Sequence, residues 1–154
     1  MALQIGDKAP EILGTDQNGQ EIKLADYKGK KLILYFYPKD NTSGCTAEAC
    51  SFRDYKDTLV SEGYEILGVS ADSEKSHKNF IEKHGLNFSL IADTNKSLSE
   101  AFGTWGEKSM YGRKYMGMFR TTFIIDKNGI IEKIFQPKEI KTKIHAEQIL
   151  ALKK

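Results

Sequence analysis

Residues 32–37 read LILYFY, an apolar run with no charge and no alternation, stopped by Pro38. Six branched and aromatic residues in a row suit a strand buried on both faces better than a surface helix. A strand of that kind belongs at the centre of a sheet covered on both sides. The chain is therefore read as a layered α/β domain.

The rest of the chain supplies the covering layers. DQNG at 16–19, between ILG and EIKL, predicts a small N-terminal β-hairpin. After a polar loop, KDNTSG, a helical pattern runs from Cys45 to about Val60, with Ala49, Phe52 and Leu59 on one face. YEILGVS at 64–70 predicts a second buried strand. Asp72 or Ser73 caps a helix that runs to about His84 and is ended by Gly85. NFSLIAD at 87–93 predicts a third strand, and a short helix follows over Ser97–Phe102. TTFIID at 121–126, KNG, and then IIEKIF predict an antiparallel strand pair. From Glu139 the tail predicts an amphipathic helix with Ile140, Ile144, Ile149 and Leu150 inward. Strand, helix, strand, hairpin and closing helix is the order of a thioredoxin fold with a mixed central sheet flanked by helices. The expectation is one domain over residues 1–154.

Composition narrows the function classes. Apolar residues make up 40% of the 154 and charged residues 29%, enough for a core and a solvated surface. A formal net charge of +2 with interspersed lysines and glutamates gives no footprint for nucleic acid. No apolar run approaches the roughly 20 residues that span a bilayer. MALQIGDKAP does not read as a secretory signal, so a cytoplasmic location and no membrane partner are expected.

The only cysteines are Cys45 and Cys50. In a reducing compartment a close pair is more often catalytic or metal-binding than a structural staple. Two thiols cannot complete a zinc site alone, and His77, His84 and His145 would have to supply the rest. His77 and His84 lie among lysines and glutamates and are expected to be solvated. No metal, nucleotide or other cofactor is expected. Cys45 stands where a loop after the central strand enters a helix, a place that favours a thiolate. A free thiol near pKa 8.5 is only about 3% ionised at neutral pH, so stabilisation there matters. Arg120 is a candidate for further help, because the strand it precedes fits beside LILYFY. Glu48 could approach Cys45 from the first helical turn or simply favour the helix N-terminus, and it is left out of the catalytic set. The stretch Trp105–Phe119 mixes basic, aromatic and methionine residues, a mix that could bind nucleic acid by stacking and charge, but the modest net charge favours a loop packing beside the active site.

The segment YFYPKDNTSGCTAEACSFRD, residues 35–54, resembles the active-site stretch of peroxiredoxins, with Pro38, Thr42 and Cys45 in the family's Pro-x-x-x-Thr/Ser-x-x-Cys pattern. Cys50, five residues on, resembles the peroxiredoxin Q or bacterioferritin-comigratory-protein subgroup. MFRTTFIIDKNGII, WGEKSMYGRKYMGMFR and the opening GDKAPEILGTDQNGQEIKL fit the same subgroup. The resemblance implies a thiol peroxidase acting on hydroperoxides, with Cys45 attacking and Cys50 resolving the sulfenic acid into a disulfide. It implies roles for Thr42 and Arg120 in catalysis, and for Pro38 and Gly44 in shaping the peroxide site. Thioredoxin or a similar dithiol would recycle the enzyme, and a monomer is expected. The subgroup usually has proline where Ser43 stands here. Serine restores a backbone N–H and offers a hydroxyl to cap the helix.

Two rivals remain on these residues. A thiol-disulfide oxidoreductase would need Cys-x-x-Cys, which is absent. A redox-sensing interaction module would change partner affinity on oxidation without turnover. If both cysteines lie in one regular helix, their Cα atoms are about 8.6 Å apart and their side chains diverge by about 140°. A disulfide needs a separation under about 7 Å. The helix from Cys45 to beyond Cys50 must then unwind for the bridge to form, with Cys50 largely buried beforehand.

Overall fold

A computed structural model describes residues 2–152. Strands β1 (Ile12–Thr15) and β2 (Glu21–Lys23) form the expected antiparallel hairpin. The central sheet contains β3 (Lys31–Phe36), β4 (Tyr64–Ser70), β5 (Ser89–Ala92), β8 (Thr121–Ile125) and β9 (Ile131–Phe135) in the order β5-β4-β3-β8-β9. β3 is parallel to β4 and antiparallel to β8, so the sheet is mixed and its middle strand is the LILYFY run.

Alternation along β3 builds a core on each face. Ile33, Tyr35 and Tyr37 pack with Cys45, Ala49 and Phe52 of α1 (Ser43–Asp54) and with Ala146 and Ile149 of α5 (His145–Leu150). Leu32, Leu34 and Phe36 pack on the other face with Leu13 of β1 and Leu98 of α4 (Ser97–Ala101). Gly68 of β4 makes room for this packing, because a Cβ there would lie 2.7 Å from Leu90 and 2.9 Å from the Tyr35 ring. Tyr35 then packs against Phe52 with the rings tilted by 35° and their centroids 4.6 Å apart, and both side chains are fully buried.

The structure corrects four expectations. The helix read over 45–60 is two, α1 and α2 (Lys56–Ser61), interrupted at Tyr55. Asn87 Nδ2 donates to the Arg53 carbonyl at 3.2 Å, taking an acceptor the helical ladder would otherwise use. Trp105–Phe119 is largely a β-hairpin, β6 (Trp105–Met110) and β7 (Arg113–Met118), rather than a loop. Tyr111 and Gly112 both have positive φ, 53° and 78°, as a tight hairpin turn of the primed type requires.

The tail is helical only from His145 to Leu150, after short 3-10 turns at Pro137–Glu139 and Thr142–Ile144, and Ile144 is exposed. Polar bonds set its register: His145 bonds Thr122 and Gln148, and Ala146 N–H donates to Ser51 Oγ. His77 of α3 (Glu74–His84) is fully buried rather than solvated, because both ring nitrogens have protein partners. The cap at Ser73 and the left-handed stop at Gly85 are as read from the sequence.

Candidate active site

The C-terminal end of β3 delivers the chain through Pro38–Thr42 into the first turn of α1, where Cys45 is the third helical residue. Backbone N–H groups left without helical partners cluster there and favour negative charge. Cys45 is 1% exposed, so the sulfur sits beneath the surface. Arg120 immediately precedes β8, and the pairing Phe36↔Thr121 brings it to the same end of the sheet. Its Nη2 donates to Cys45 Sγ at 3.3 Å, and its Nη1 donates to Glu48 Oε1 at 2.6 Å.

Gly44 permits this approach. A Cβ at position 44 would stand 3.3 Å from Arg120 Nη2, closer than ordinary van der Waals contact. Glu48 is fully buried, and sequence reasoning set it aside. The available signal was spacing: three residues after Cys45 on a helix is the same face. Burial pushes the Glu48 carboxyl up to about 7, while the charge and hydrogen bond of Arg120 pull it back. Glu48 Oε2 has no hydrogen-bond partner among the described residues, nor has the Tyr35 hydroxyl. Burial drives the Tyr35 phenol well above its ordinary value, and the charges of Glu48 and Cys45 add to that. Burial lowers the Arg120 guanidinium, but Glu48 and Cys45 outweigh it and the net direction is up. The guanidinium therefore stays charged. Lys108 of β6 flanks the pair, held below the usual lysine range by burial and by Arg120.

Behind the helix, burial lowers His145 to about 4. Gln148 Nε2 donates to Glu139, so its Oε1 faces His145 as an acceptor. Nδ1 therefore carries the proton and Nε2 accepts from the Thr122 hydroxyl.

The other expected residues are less tightly joined. Thr42 is exposed, and its hydroxyl donates to the Lys39 carbonyl at 2.9 Å rather than bonding Cys45. Thr42 occupies the helix cap but makes no side-chain cap bond, and Ser43 is already the first helical residue. The capping role expected of Ser43 is therefore not seen. Pro38 is half-buried at the loop entrance. Cys50 lies in α1 with Cys45 and is half-buried, more open than expected. Both thiols are free. No helix of the described residues is long and apolar enough to cross a membrane.

A charged guanidinium on a buried sulfur at a helix start can stabilise a thiolate and charge developing beside it. Known proteins carry the same arrangement of elements. Residues 5–134 match the AhpC/TSA family. The chain is 45% identical to Peroxiredoxin Bcp of Bacillus subtilis (strain 168), covering 97% of this chain and 94% of that protein. It is 42% identical to Peroxiredoxin Bcp of Escherichia coli (strain K12), covering 96% and 94%. The structure resembles a cysteine variant of Xylella fastidiosa PrxQ with TM-score 0.87 and 33% identity, over 97% and 94% of the two chains. It also resembles the Xanthomonas campestris bacterioferritin comigratory protein, whose structures concern alkyl peroxide reduction, with TM-score 0.82 and 37% identity over 89% and 86%.

Proposed function

The chain belongs to the AhpC/TSA family as a peroxiredoxin of the Bcp/PrxQ type, and from that membership we propose how its own residues carry out thiol-dependent peroxide reduction. The observation that carries the reading is Arg120 Nη2 at 3.3 Å from Cys45 Sγ in the first turn of α1. The Cys45 thiolate attacks the terminal oxygen of a hydroperoxide. A sulfur–oxygen bond forms, the O–O bond breaks, and the electron pair leaves on RO⁻, which is protonated to ROH. Cys45 becomes a sulfenic acid. Arg120 stabilises both the thiolate and the negative charge spreading over the peroxide. Glu48 holds Arg120 in that orientation by fixing its other nitrogen. Thr42, whose hydroxyl hydrogen is donated to the Lys39 carbonyl, keeps oxygen lone pairs free to accept from the peroxide O–H. Pro38 and Gly44 shape the entrance. A sulfur only 1% exposed suits a substrate that reacts through one small O–O end.

The Cys50 thiol then attacks the sulfenic sulfur, forming the Cys45–Cys50 disulfide and releasing water. A dithiol protein of the thioredoxin type gives two electrons and two protons to reopen it. Hydrogen peroxide and organic hydroperoxides are the substrates, and the enzyme works as a cytoplasmic monomer.

The test is a pair of variants. Cys45→Ser should abolish peroxide consumption with the fold intact by circular dichroism. Cys50→Ser should consume about one equivalent, lose turnover with thioredoxin, and carry sulfenic or sulfinic acid on Cys45 by mass spectrometry. Near-normal turnover in Cys45→Ser would sink the assignment. An inert Cys50→Ser would mean the two roles are swapped or shared.

A further inference from the structure

The loop entering the active site is anchored to α3 by a buried polar cluster that the peroxidase reading leaves unused. Asp40, 5% exposed, accepts from Tyr37 at 2.6 Å through Oδ1, and from Ser76 Oγ at 2.7 Å through Oδ2. The same Oδ2 lies 2.8 Å from His77 Nδ1. The Asp40 backbone N–H donates to Asp72 Oδ2 at 2.8 Å, and Ser70 Oγ donates to that oxygen at 2.7 Å. His77 Nε2 reaches the Ile91 carbonyl at 2.9 Å.

A carbonyl only accepts, so Nε2 carries a proton. Oδ2 of an ionised Asp40 also only accepts, so Nδ1 carries one as well. The geometry is that of a buried imidazolium–carboxylate pair. Burial pushes the Asp40 carboxyl up, but His77 and the hydroxyls of Tyr37 and Ser76 outweigh it and hold it below the usual carboxylate range. Ligand-type atoms of Asp40, Asp72 and His77 all lie within 4.8 Å of one another, yet each of these residues is already committed to hydrogen bonds within the cluster.

Downstream, a second anchor holds α1. Ser51 is buried and its Oγ accepts from Ala146 N–H at 3.1 Å, and Phe52 is fully buried against Tyr35. Between the anchors, Asn41, Thr42 and Ser43 are exposed, Cys50 is half-buried, and Asn41 has a left-handed φ of 63°. We infer that Asp40 and Ser51 are the fixed ends of the segment that rearranges during the catalytic cycle, and that the Asp40–His77 pair is a latch restraining it. Asp40 and His77 are positioning residues. They keep the loop seated for peroxide attack and so delay the approach of Cys50 to Cys45.

This inference rests on the proposed roles of the two cysteines. The delay sets a branch. In one arm Cys45–SOH and Cys50–SH give the disulfide and water. In the other, Cys45–SO⁻ takes an oxygen atom from a second hydroperoxide, giving Cys45–SO₂⁻ and ROH. A weaker latch should favour the first arm.

The experiment titrates reduced protein with hydrogen peroxide and thioredoxin recycling, and reads the ratio of sulfinate to disulfide by mass spectrometry. His77→Gln, which keeps one donor but loses the charge, should lower that ratio at least threefold and slow the first peroxide step. Ser76→Ala, which removes a single bond to Asp40, should lower it by a smaller factor and settles the matter if His77→Gln does not fold. An unchanged ratio in the folded variants, even with reduced stability, overturns the latch. Failure of the unaltered protein to form a Cys45–Cys50 disulfide overturns the cysteine roles instead.

Discussion

Arg120 divides one guanidinium between Cys45 and Glu48, with Nη2 3.3 Å from the sulfur and Nη1 2.6 Å from the carboxylate. A rigid planar fork fixes two separate nitrogens toward the two partners, whereas an ammonium is a single point charge on a flexible stem. Arg120→Lys should therefore keep the charge but lose the paired geometry. The second-order rate constant for peroxide should fall by about 10²–10³, the loss typical of removing one donor aimed at developing charge. Stopped-flow measurement of the first turnover checks this. A loss under threefold would mean that charge alone, without the fork, does the work.

Position 43 offers a test of the helix start. Ser43 is the first residue of α1, where proline is well accommodated, and Thr42 before it is extended at φ −87° and ψ 155°, as a residue preceding proline prefers. Ser43→Pro should stabilise the reduced protein by about 0.4–1 kcal/mol through the unfolded chain. The melting temperature should rise by roughly 1–4 °C. A fall would mean that the Ser43 N–H has a partner the fold depends on.

Two buried groups titrate against each other. Glu48, pushed up from 4.5 to about 7, contributes stability that is present below about pH 4.5 and lost as pH rises through 7. His145, pushed down from 6.5 to about 4, contributes stability that is present above 6.5 and lost as pH falls through 4. Between pH 4.5 and 6.5 the two slopes oppose and nearly cancel. Glu48→Gln should leave the His145 slope alone, so stability rises with pH across this window by about 3 kcal/mol. His145→Gln should show the opposite slope. Urea denaturation at constant m-value reads both, and parallel profiles for the two variants would refute the pairing.

Amide exchange reports the rearrangement directly. In the reduced protein, the amides of residues 46–54 donate within α1 and should exchange slowly. In the disulfide form they should exchange much faster, because the bridge does not fit the helical spacing of about 8.6 Å. The amides of Tyr55 and Leu59, whose acceptors are the Ser51 and Tyr55 carbonyls beyond the unwound segment, should stay slow in both forms. Equal protection of 46–54 in both forms, with the disulfide verified by mass, would rule out unwinding.

The parts legible in the sequence are those fixed by local chemistry. β4 runs from Tyr64 to Ser70, as the apolar run between Gly63 and Ala71 indicates, and α3 begins and ends where Ser73 and Gly85 punctuate it. Placing Arg120 beside the end of β3 needed only two apolar strands to pair. What escaped depends on partners distant in the chain. Glu48 reads as an ordinary helix-start acid until Arg120, 72 residues away, is brought to it. His77 reads as solvated until Asp40 and the Ile91 carbonyl close around it. The isoleucines of the tail suggested one inward face, but side-chain bonds from His145 and Gln148 chose another register. The hairpin at 105–118 lacks apolar alternation, and its signal was the Tyr111–Gly112 turn.

Cys45 and Arg120 are 75 residues apart and meet only when β8 docks against β3. During synthesis the thiol leaves the ribosome long before its arginine does, in a chain that has no sheet to join them. A nascent or misfolded copy therefore carries an ordinary, slow cysteine. Fast reaction with peroxide waits until β8 has docked, by which point Cys50 already shares α1 with Cys45.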